Sequence, residues 1–289
     1  MKVQIVMIPG ILMAYENSRK GRRITLDSKK EPAKKRLRYK MISAASVAAF
    51  FILWWLCTDV FQVANTALLP SPVTVFKVFV EKWTTKSPDG NTLGTHIVAS
   101  LQVVFLGYFI GIAIGIPFGI LMGWYKKLDM LIRPLFDIIR TIPPIAWIPL
   151  FILWLGIGIK AKAMIVVLTV FVSSTLNAYT GITNINQVHL WVAQTFGASN
   201  WQMLWKIGIP TATPMICTGL KLAFNTAWTS IIGAELLGAT RGLGYMIQFG
   251  RNYCRSDIVI VGMLVIGVIG FALSTVLDYL EIRLTRGKY

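Results

Sequence analysis

Charged side chains are scarce in this sequence of 289 residues. Asp, Glu, Lys and Arg make up 14% of it and hydrophobic residues 55%, whereas a soluble domain carries about 25% charged residues. Acids are the scarcer class, with 12 Asp and Glu against 29 Lys and Arg and a formal net charge of +17. The mean hydropathy is +0.63. This composition argues against an ordinary soluble domain and is typical of an integral membrane protein.

Groups that carry catalysis or bind metals are equally few. Cys57, Cys217 and Cys254 lack Cys-x-x-Cys spacing, which argues against a zinc site or a disulfide framework. His96 and His189 have no second ligand at metal-binding spacing and accompany no nucleophile pattern. The sequence also lacks the Gly-x-x-x-x-Gly-Lys-Ser/Thr loop that cradles ATP phosphates. We therefore expect no catalytic residue, metal or cofactor in this chain.

Long apolar runs dominate the rest of the sequence. A membrane core of about 30 Å is crossed by roughly 20 apolar residues in a helix. Six runs approach or exceed that length, at residues 41–57, 97–125, 132–157, 163–179, 214–237 and 258–280. The sequence thus predicts an all-α fold, a polytopic membrane helical bundle of about six transmembrane helices.

Positive charge is concentrated before the first run. Residues 1–40 contain 12 Lys or Arg and three acids, and such segments stay on the cytoplasmic side of a membrane. This distribution favours a membrane interpretation of the net charge over a nucleic-acid partner. We predict a basic cytoplasmic tail over residues 1–40, a six-helix transmembrane domain over residues 41–289, and both termini in the cytoplasm. The crossing count places residues 235–257 outside, although that loop contains three arginines.

The connection over residues 181–213 is too apolar for a plain solvated loop. It has no acidic residue and a single Lys or Arg, Lys206. Two short helices are predicted in it, over residues 188–196 and 201–207, with Ser199 or Asn200 as the N-cap of the second. We expect this segment to lie along the cytoplasmic membrane face and to offer an uncharged surface to a partner.

Prolines follow the second of these short helices. Pro210 and Pro214 are predicted to discourage helix continuation before the fifth apolar run, because proline lacks the amide donor that a helix needs.

The same connection contains a spaced motif, Trp191-Val192-Ala193, Gly197, Ile207, Ile209 and Pro210. It resembles a signature that reads Glu-Ala-Ala, three free residues, Gly, nine free residues, Ile, one free residue and Leu-Pro. That is the cytoplasmic signature of the permease subunits of binding-protein-dependent ABC importers. The second Ala and the Gly, Ile and Pro positions match, whereas Trp191, Val192 and Ile209 replace the Glu, first Ala and Leu.

Further short sequence segments extend the resemblance over residues 69–285. They are Leu69-Pro-Ser-Pro, Arg140-Thr-Ile-Pro-Pro-Ile-Ala-Trp-Ile-Pro-Leu, Gly233-Ala-Glu-Leu-Leu-Gly and Gly242-Leu-Gly-Tyr. They are similar to the nitrate, sulfonate, taurine and bicarbonate branch of the family. The resemblance implies a type I ABC importer permease fold in the bacterial cytoplasmic membrane. It also implies a second permease copy, two ATP-binding cassette subunits that hold ATP and Mg, and an extracytoplasmic solute-binding protein.

Residues of the signature are candidates for coupling to the ATPase. The candidates are Ala193, Gly197, Ala198, Ser199, Ile207 and Pro210. The small residues let a partner approach the backbone closely, and a short helix ended by Gly197 provides a rigid lever. An ordinary amphipathic connection between spans is the alternative interpretation.

Polar residues and prolines within the runs are candidates for the translocation pathway, because charges inside a membrane need a partner, water or an interfacial position. They are Asp137, Arg140, Pro143, Pro144, Asn225, Ser230 and Glu235. Each has a structural alternative: an i, i+3 ion pair for the two charges, a helix kink for the prolines, and helix-joining hydrogen bonds for the others.

Five glycines recur at every fourth position of the second run, from residue 107 to residue 123. This pattern predicts close packing against another helix. For the whole chain, an ion-gradient-driven secondary transporter is the alternative function. Such transporters often contain two similar halves, and no such repeat is visible in this sequence.

Overall fold

The chain divides into two units, residues 1–64 and residues 65–289. The computed structural model describes residues 33–61, 65 and 68–285 of them. Of the predicted basic tail, residues 1–32 lie outside the described part of the chain. The tail and domain boundaries therefore stay predictions.

The first unit contains one long helix. Helix α1 spans Ala33–Trp55 and continues as a π-helical turn over Leu56–Val60. The helix and the π-helical turn together include the whole first apolar run, and the helix begins earlier than that run, at Ala33. In the turn, Thr58 donates a hydrogen bond to the carbonyl of Trp54, 2.9 Å away, so its hydroxyl is satisfied within the helix.

The described part of the second unit is helical and contains no strand, which confirms the predicted all-α fold. Its helices are α2 Pro72–Thr84, α3 Leu93–Trp124, α4 Lys126–Thr141, α5 Ile148–Leu155, α6 Ile159–Thr183, α7 Gln187–Thr195, α8 Asn200–Met203, α9 Ile209–Gly238, α10 Leu243–Asn252 and α11 Ser256–Thr285. A 3-10 turn over Pro144–Trp147 precedes α5, and a π-helical turn over Leu204–Gly208 joins α8 to α9.

Five helices within the described residues are long and apolar enough to cross a membrane. They are Met41–Val60, Leu93–Trp124, Ile159–Thr183, Asn200–Gly238 and Ser256–Arg283. The third predicted run is instead a broken pair, Lys126–Thr141 and Pro144–Leu155, whose two parts are bent by 90°. The count is six when that pair is one crossing.

The break in the third run follows from its prolines. Ile142 adopts an extended conformation with ψ of 119°, because a residue that precedes proline is pushed out of the helical region. Pro144 starts the 3-10 turn and Pro149 lies in the first turn of α5, where a missing amide costs nothing. The interruption predicted at these prolines is confirmed.

Packing between α3 and α6 shows that the broken pair crosses the bundle. A Cβ added at Gly107 would lie 2.6 Å from Val166, and one at Gly123 would lie 2.9 Å from Ile182. Contacts that advance together along both helices mean that α3 and α6 run parallel. The chain must therefore return from the end of α3 to its beginning between them, and residues 126–155 make that return.

The glycine stripe of α3 forms this interface along its full length. Each of the five glycines faces a side chain or carbonyl of α6 at a distance that leaves no room for a Cβ. Thr175 of α6 adds a hydrogen bond to the Gly115 carbonyl at 3.1 Å. The close packing predicted from the Gly-x-x-x-Gly pattern is confirmed.

Helix α9 runs antiparallel to both α3 and α6. Tyr108 of α3 donates to the Leu220 carbonyl at 3.1 Å, and Thr169 of α6 donates to Ser230 at 3.2 Å. On its other side α9 packs against α11, where Lys221 forms an ion pair with Asp278. A charge inside a predicted crossing is thus paired across two helices, as its desolvation demands.

The prolines were expected to discourage helix continuation before the fifth span, and this expectation is wrong. Residues Asn200–Gly238 form one candidate span, because the chain widens to a π-helical turn just before Pro210. There the Ile209 amide donates to the Leu204 carbonyl, five residues back. This shift of hydrogen-bond register lets the helix continue although Pro210 has no amide donor.

Candidate functional site

Helices α7 and α8 form a helix-turn-helix at the C-terminal end of α3, here called the helix pair (residues 187–208). The Asn186 side chain caps α7 by accepting a hydrogen bond from the Val188 amide at 3.0 Å. Ser199 caps α8 through a capping box, since Ser199 and Gln202 each bind the other's backbone amide through the side chain. The predicted pair of short helices and the cap at Ser199 are confirmed.

The turn between the two helices is a Schellman motif centred on Gly197. The Gly197 amide donates to the Gln194 carbonyl at 2.9 Å, and the Ala198 amide donates to the Ala193 carbonyl at 3.0 Å. Gly197 has φ of +77°, in the left-handed region that favours glycine. These bonds terminate α7 sharply and fix the direction in which α8 leaves.

The helix pair is anchored to the bundle by apolar contacts. Leu190 of α7 packs on a buried cluster of Ile182, Ile185, Leu204 and Ala212. Leu204 belongs to the turn that joins α8 to α9, so α7 and the turn after α8 both contact this cluster. Through this cluster α7 is connected to the long helix α9, which contributes Ala212.

The opposite face of the helix pair exposes large apolar side chains. Trp191 is 61% exposed and Phe196 is 87% exposed. Trp201 and Trp205 pack edge to face with ring centroids 5.7 Å apart, and both are exposed. Lys206 is the single Lys, Arg, Asp or Glu in residues 187–208. Exposed apolar surface of this kind marks an interaction site.

The candidate coupling residues are distributed over both faces of this segment. Gly197 and Ser199 are exposed, whereas Ala193, Ala198, Ile207 and Pro210 are half-buried. The turn is therefore accessible to a partner. Their assignment to coupling stays a prediction.

The charged pathway candidates on α4 bind each other. Arg140 Nε lies 2.7 Å from Asp137 Oδ1, which favours the i, i+3 ion pair among the two interpretations. Arg133 also approaches Asp137, at 3.8 Å, and its guanidinium donates to the Tyr179 hydroxyl at 2.7 Å. Arg140 and Pro144 in addition line a cavity of about 160 Å³ with Thr226. Pro143 lies beside Pro144 in the break of the third crossing.

The pathway candidates on α9 face two ways. Asn225 is exposed, whereas Ser230 is buried and accepts the hydrogen bond from Thr169. The Glu235 side chain is also buried, with 1% exposure. The polar stripe predicted on α9 is thus divided between an exposed face and an interface with neighbouring helices.

The Glu235 carboxylate holds the turn between α9 and α10. It accepts hydrogen bonds from the Ser100 hydroxyl at 2.8 and 2.9 Å and from the Gly244 amide at 2.9 Å. Ser100 in turn accepts from the Leu243 amide at 2.9 Å. A Cβ at Gly242 would overlap the carboxylate. This geometry favours the helix-joining interpretation of Glu235, and Ser100 was not predicted because a serine in an apolar run has no distinguishing pattern.

A second network of hydrogen-bonded side chains fixes the loop before α3. Asp89 accepts from Lys82 and from His96 Nε2, the latter at 2.9 Å, while His96 Nδ1 accepts from the Gly242 amide at 3.1 Å. Burial raises the pKa of Asp89, but the hydrogen bonds from His96 and Lys82 outweigh it and lower the pKa to about 2. The carboxylate therefore stays ionised and joins α2, α3 and the α10 turn.

Close to this network lies a cavity of about 970 Å³ at the N-terminal end of α3, here called the cationic cavity. It is bounded by α3, the end of α5, the start of α6 and the turn after α9. Its polar lining consists of Thr95, Gln102, Lys160, Lys162, Thr240 and Arg241. Three of these side chains are basic, and among the described residues that line the cavity none is acidic. Sequence reasoning did not predict this cavity, because its residues come from three distant segments.

Residues 115–286 match the family model described as "Binding-protein-dependent transport system inner membrane component". The chain is 34% identical over 251 residues to the taurine transport system permease protein TauC of Escherichia coli strain K12, over 86% of this chain and 90% of that protein. It is 30% identical over 260 residues to the putative aliphatic sulfonates transport permease protein SsuC of Bacillus subtilis strain 168, over 90% of this chain and 92% of that protein.

A solved structure of the MetNI methionine ABC transporter in inward-facing conformations contains a chain with the same fold. The TM-score is 0.59 at 20% identity, over 68% of this chain and 95% of that chain. The fold class predicted from the sequence is thereby confirmed.

This chain belongs to the family of binding-protein-dependent transport system inner membrane components, the permeases of ABC importers. Within that family it belongs to the branch that includes taurine and sulfonate permeases, as its sequence phrases predicted. It is a multi-pass membrane transport protein.

Proposed function

We propose that this chain is the membrane-spanning subunit of an ATP-driven importer of a small solute, and that the helix pair receives the movement of a separate ATPase. The solute is a taurine, sulfonate or nitrate type of compound, as the names of similar permeases suggest, or bicarbonate, which only the sequence resemblance implies. ATP and Mg are bound by the partner and not by this chain. Two ATP-binding cassette subunits, a second permease copy and an external solute-binding protein complete the assembly.

One observation carries this proposal: the helix pair is exposed, nearly uncharged and rigidly connected to α9. Its Schellman turn and capping box leave few conformations for α7 relative to α8. A lever that transmits force needs such rigidity at its contact point and a firm attachment at its other end. Leu190 and Leu204 supply the attachment through one buried cluster.

We place the helix pair on the cytoplasmic side and both termini with it. The N-terminal tail carries most of its charge as Lys and Arg, and Lys126 and Lys127 lie at the same end of α3 as the helix pair, because Trp124, Tyr125, Ile182 and Leu190 line one cavity there. Basic residues near helix ends favour the cytoplasm. The membrane is then the bacterial cytoplasmic membrane.

We expect the substitution Trp205→Asp to weaken binding of the ATPase by roughly tenfold, because a carboxylate in a desolvated apolar contact costs more than 1.4 kcal/mol. The measurement is the amount of ATP-binding subunit that copurifies with tagged chain from membranes. Trp83→Asp is the matched control, since Trp83 is similarly exposed but lies on α2 at the other end of α3.

Equal copurification with wild type and Trp205→Asp would mean that the helix pair does not bind the ATPase. If no ATP-binding subunit copurifies with any variant, and vesicles containing the chain alone accumulate solute in response to an ion gradient, the secondary-transporter alternative is correct instead.

A further inference from the structure

We infer that the cationic cavity is an anion-binding subsite in which Lys162, assisted by Arg241, holds the oxyanion group of the solute. The inference rests on the proposed function and makes it more specific, because it assigns a charge to the solute and a place to its charged end. The residues concerned are separate from the helix pair and from the pathway candidates predicted by sequence.

Lys162 is the strongest reason for this assignment. Only 6% of the residue is exposed, and it lies in a helix apolar and long enough to cross a membrane. Within the described residues no hydrogen bond or ion pair involves its ammonium group, although the side chain lines the cavity. A buried cation without a direct partner is costly, so a binding role offers a reason for its presence.

The charges around Lys162 leave the cavity positive. Glu235 attracts Lys162 electrostatically and Arg241 repels it. The Glu235 oxygens, however, already accept hydrogen bonds from Ser100 and Gly244. The Glu235 carboxylate thus offsets one of the three positive charges of Lys160, Lys162 and Arg241. An anion of one or two charges would neutralise the remaining positive charge.

The start of α6 adds to this positive field. Helix α6 has 25 residues and begins after Gly158, which makes no side-chain capping bond. The free amides of a helix N-terminus favour anions and disfavour cations. Lys160 and Lys162 therefore lie where the helix itself makes a positive charge least favourable, and a bound oxyanion would relieve both effects.

The cavity is suited to a solute with one charged and one neutral end. Its other walls include Val98, Val103, Leu155 and Ile157, while Gln102 and Thr240 offer neutral polar groups. With about 970 Å³ the space is large enough for an organic sulfonate as well as for a bare oxyanion. A phospholipid phosphate has the same charge chemistry and must be distinguished by experiment.

The test uses the purified full-length chain in lipid-free detergent, with ethanesulfonate as probe and uncharged ethyl methyl sulfone as its neutral counterpart. We expect ethanesulfonate to raise the melting temperature of the wild type by about 2–4 °C, and the sulfone to have no effect. Lys162→Gln should abolish the shift and Lys162→Arg should retain it. Lys77→Gln, which removes an exposed charge on α2 outside the cavity, should behave as the wild type.

Arg241→Gln is the second variant, in case Lys162→Gln fails to fold once Glu235 loses its counter-charge. Arg241 is exposed, and its loss should weaken ethanesulfonate binding roughly tenfold, as expected for a hydrogen bond to a charged group. Absence of a shift in the wild type, or equal shifts in the wild type and both cavity variants, would overturn the subsite.

A different result would identify a lipid site and also overturn the inference. In that case stoichiometric phospholipid phosphate copurifies with the wild type, ethanesulfonate does not displace it, and Lys162→Gln loses it. None of these results bears on the ATPase partner, because copurification through the helix pair tests that separately.

Discussion

Replacing Gly197 with valine should reduce solute uptake to background while the chain still inserts into the membrane. Gly197 has φ of +77°, and a left-handed conformation costs an L-residue roughly 1–2 kcal/mol, more for a β-branched one. Apart from its two chain neighbours, no residue has an atom within 4 Å of the position that its Cβ would take. The substitution therefore causes no collision within the bundle and acts by rotating α8 against α7.

Uptake is measured in cells that contain the complete transporter, with whichever of taurine, ethanesulfonate, nitrate and bicarbonate the wild type accumulates. Membrane insertion is measured by protease protection of the same chains. Gly90→Val is the matched control, because Gly90 has φ of +80° and the same empty surroundings but lies in the loop before α3. Normal uptake by Gly197→Val would show that the geometry of this turn does not matter for transport.

The second large effect is expected at the interface of α3 and α6. Gly111→Leu should destabilise the folded chain by more than about 3 kcal/mol, since overpacking already costs about 1–3 kcal/mol where neighbours can move. At Gly111 even a Cβ would lie 2.6 Å from Val170 and 3.0 Å from the Val167 carbonyl. The backbone of α6 lies directly behind the Val170 side chain, so α3 and α6 must separate to admit the larger residue.

The fraction of chain that remains monodisperse after heating in detergent reports this loss. Gly267→Leu is the control, because Gly267 lies in the long helix α11, where its added Cβ would meet no atom within 4 Å apart from its chain neighbours and the backbone of its own helix turn. The same apolar group should be tolerated there. Similar melting temperatures for the two variants would contradict the close packing of α3 on α6.

Local chemistry made several features of this fold predictable from sequence. Glycine at every fourth position specified a close helix interface, and proline after Ile142 specified the break in the third crossing, because each depends on the residue itself. The cap at Ser199 and the turn at Gly197 were predictable for the same reason. The resemblance to the family signature then identified the helix pair as the candidate contact for an ATPase subunit.

Features that depend on a shift of hydrogen-bond register or on distant partners were not predictable. The π-helical turn before Pro210 lets α8 continue into α9, and no residue pattern indicates a shift of hydrogen-bond register. Glu235 was ambiguous in the sequence because its role depends on Ser100, which lies 135 positions away along the chain. The cationic cavity was missed because Lys162 and Arg241 come together only when α6 and the turn after α9 meet.

The side of the membrane on which the helix pair lies tests the central claim most directly. Ser199→Cys is introduced into a chain whose three cysteines are replaced by Cys57→Ser, Cys217→Ala and Cys254→Ser, and a membrane-impermeant maleimide is applied to right-side-out and inverted vesicles. We predict labelling of inverted vesicles alone, and protection when the ATP-binding subunits are bound. Labelling of right-side-out vesicles would place the helix pair outside the cell and contradict the account.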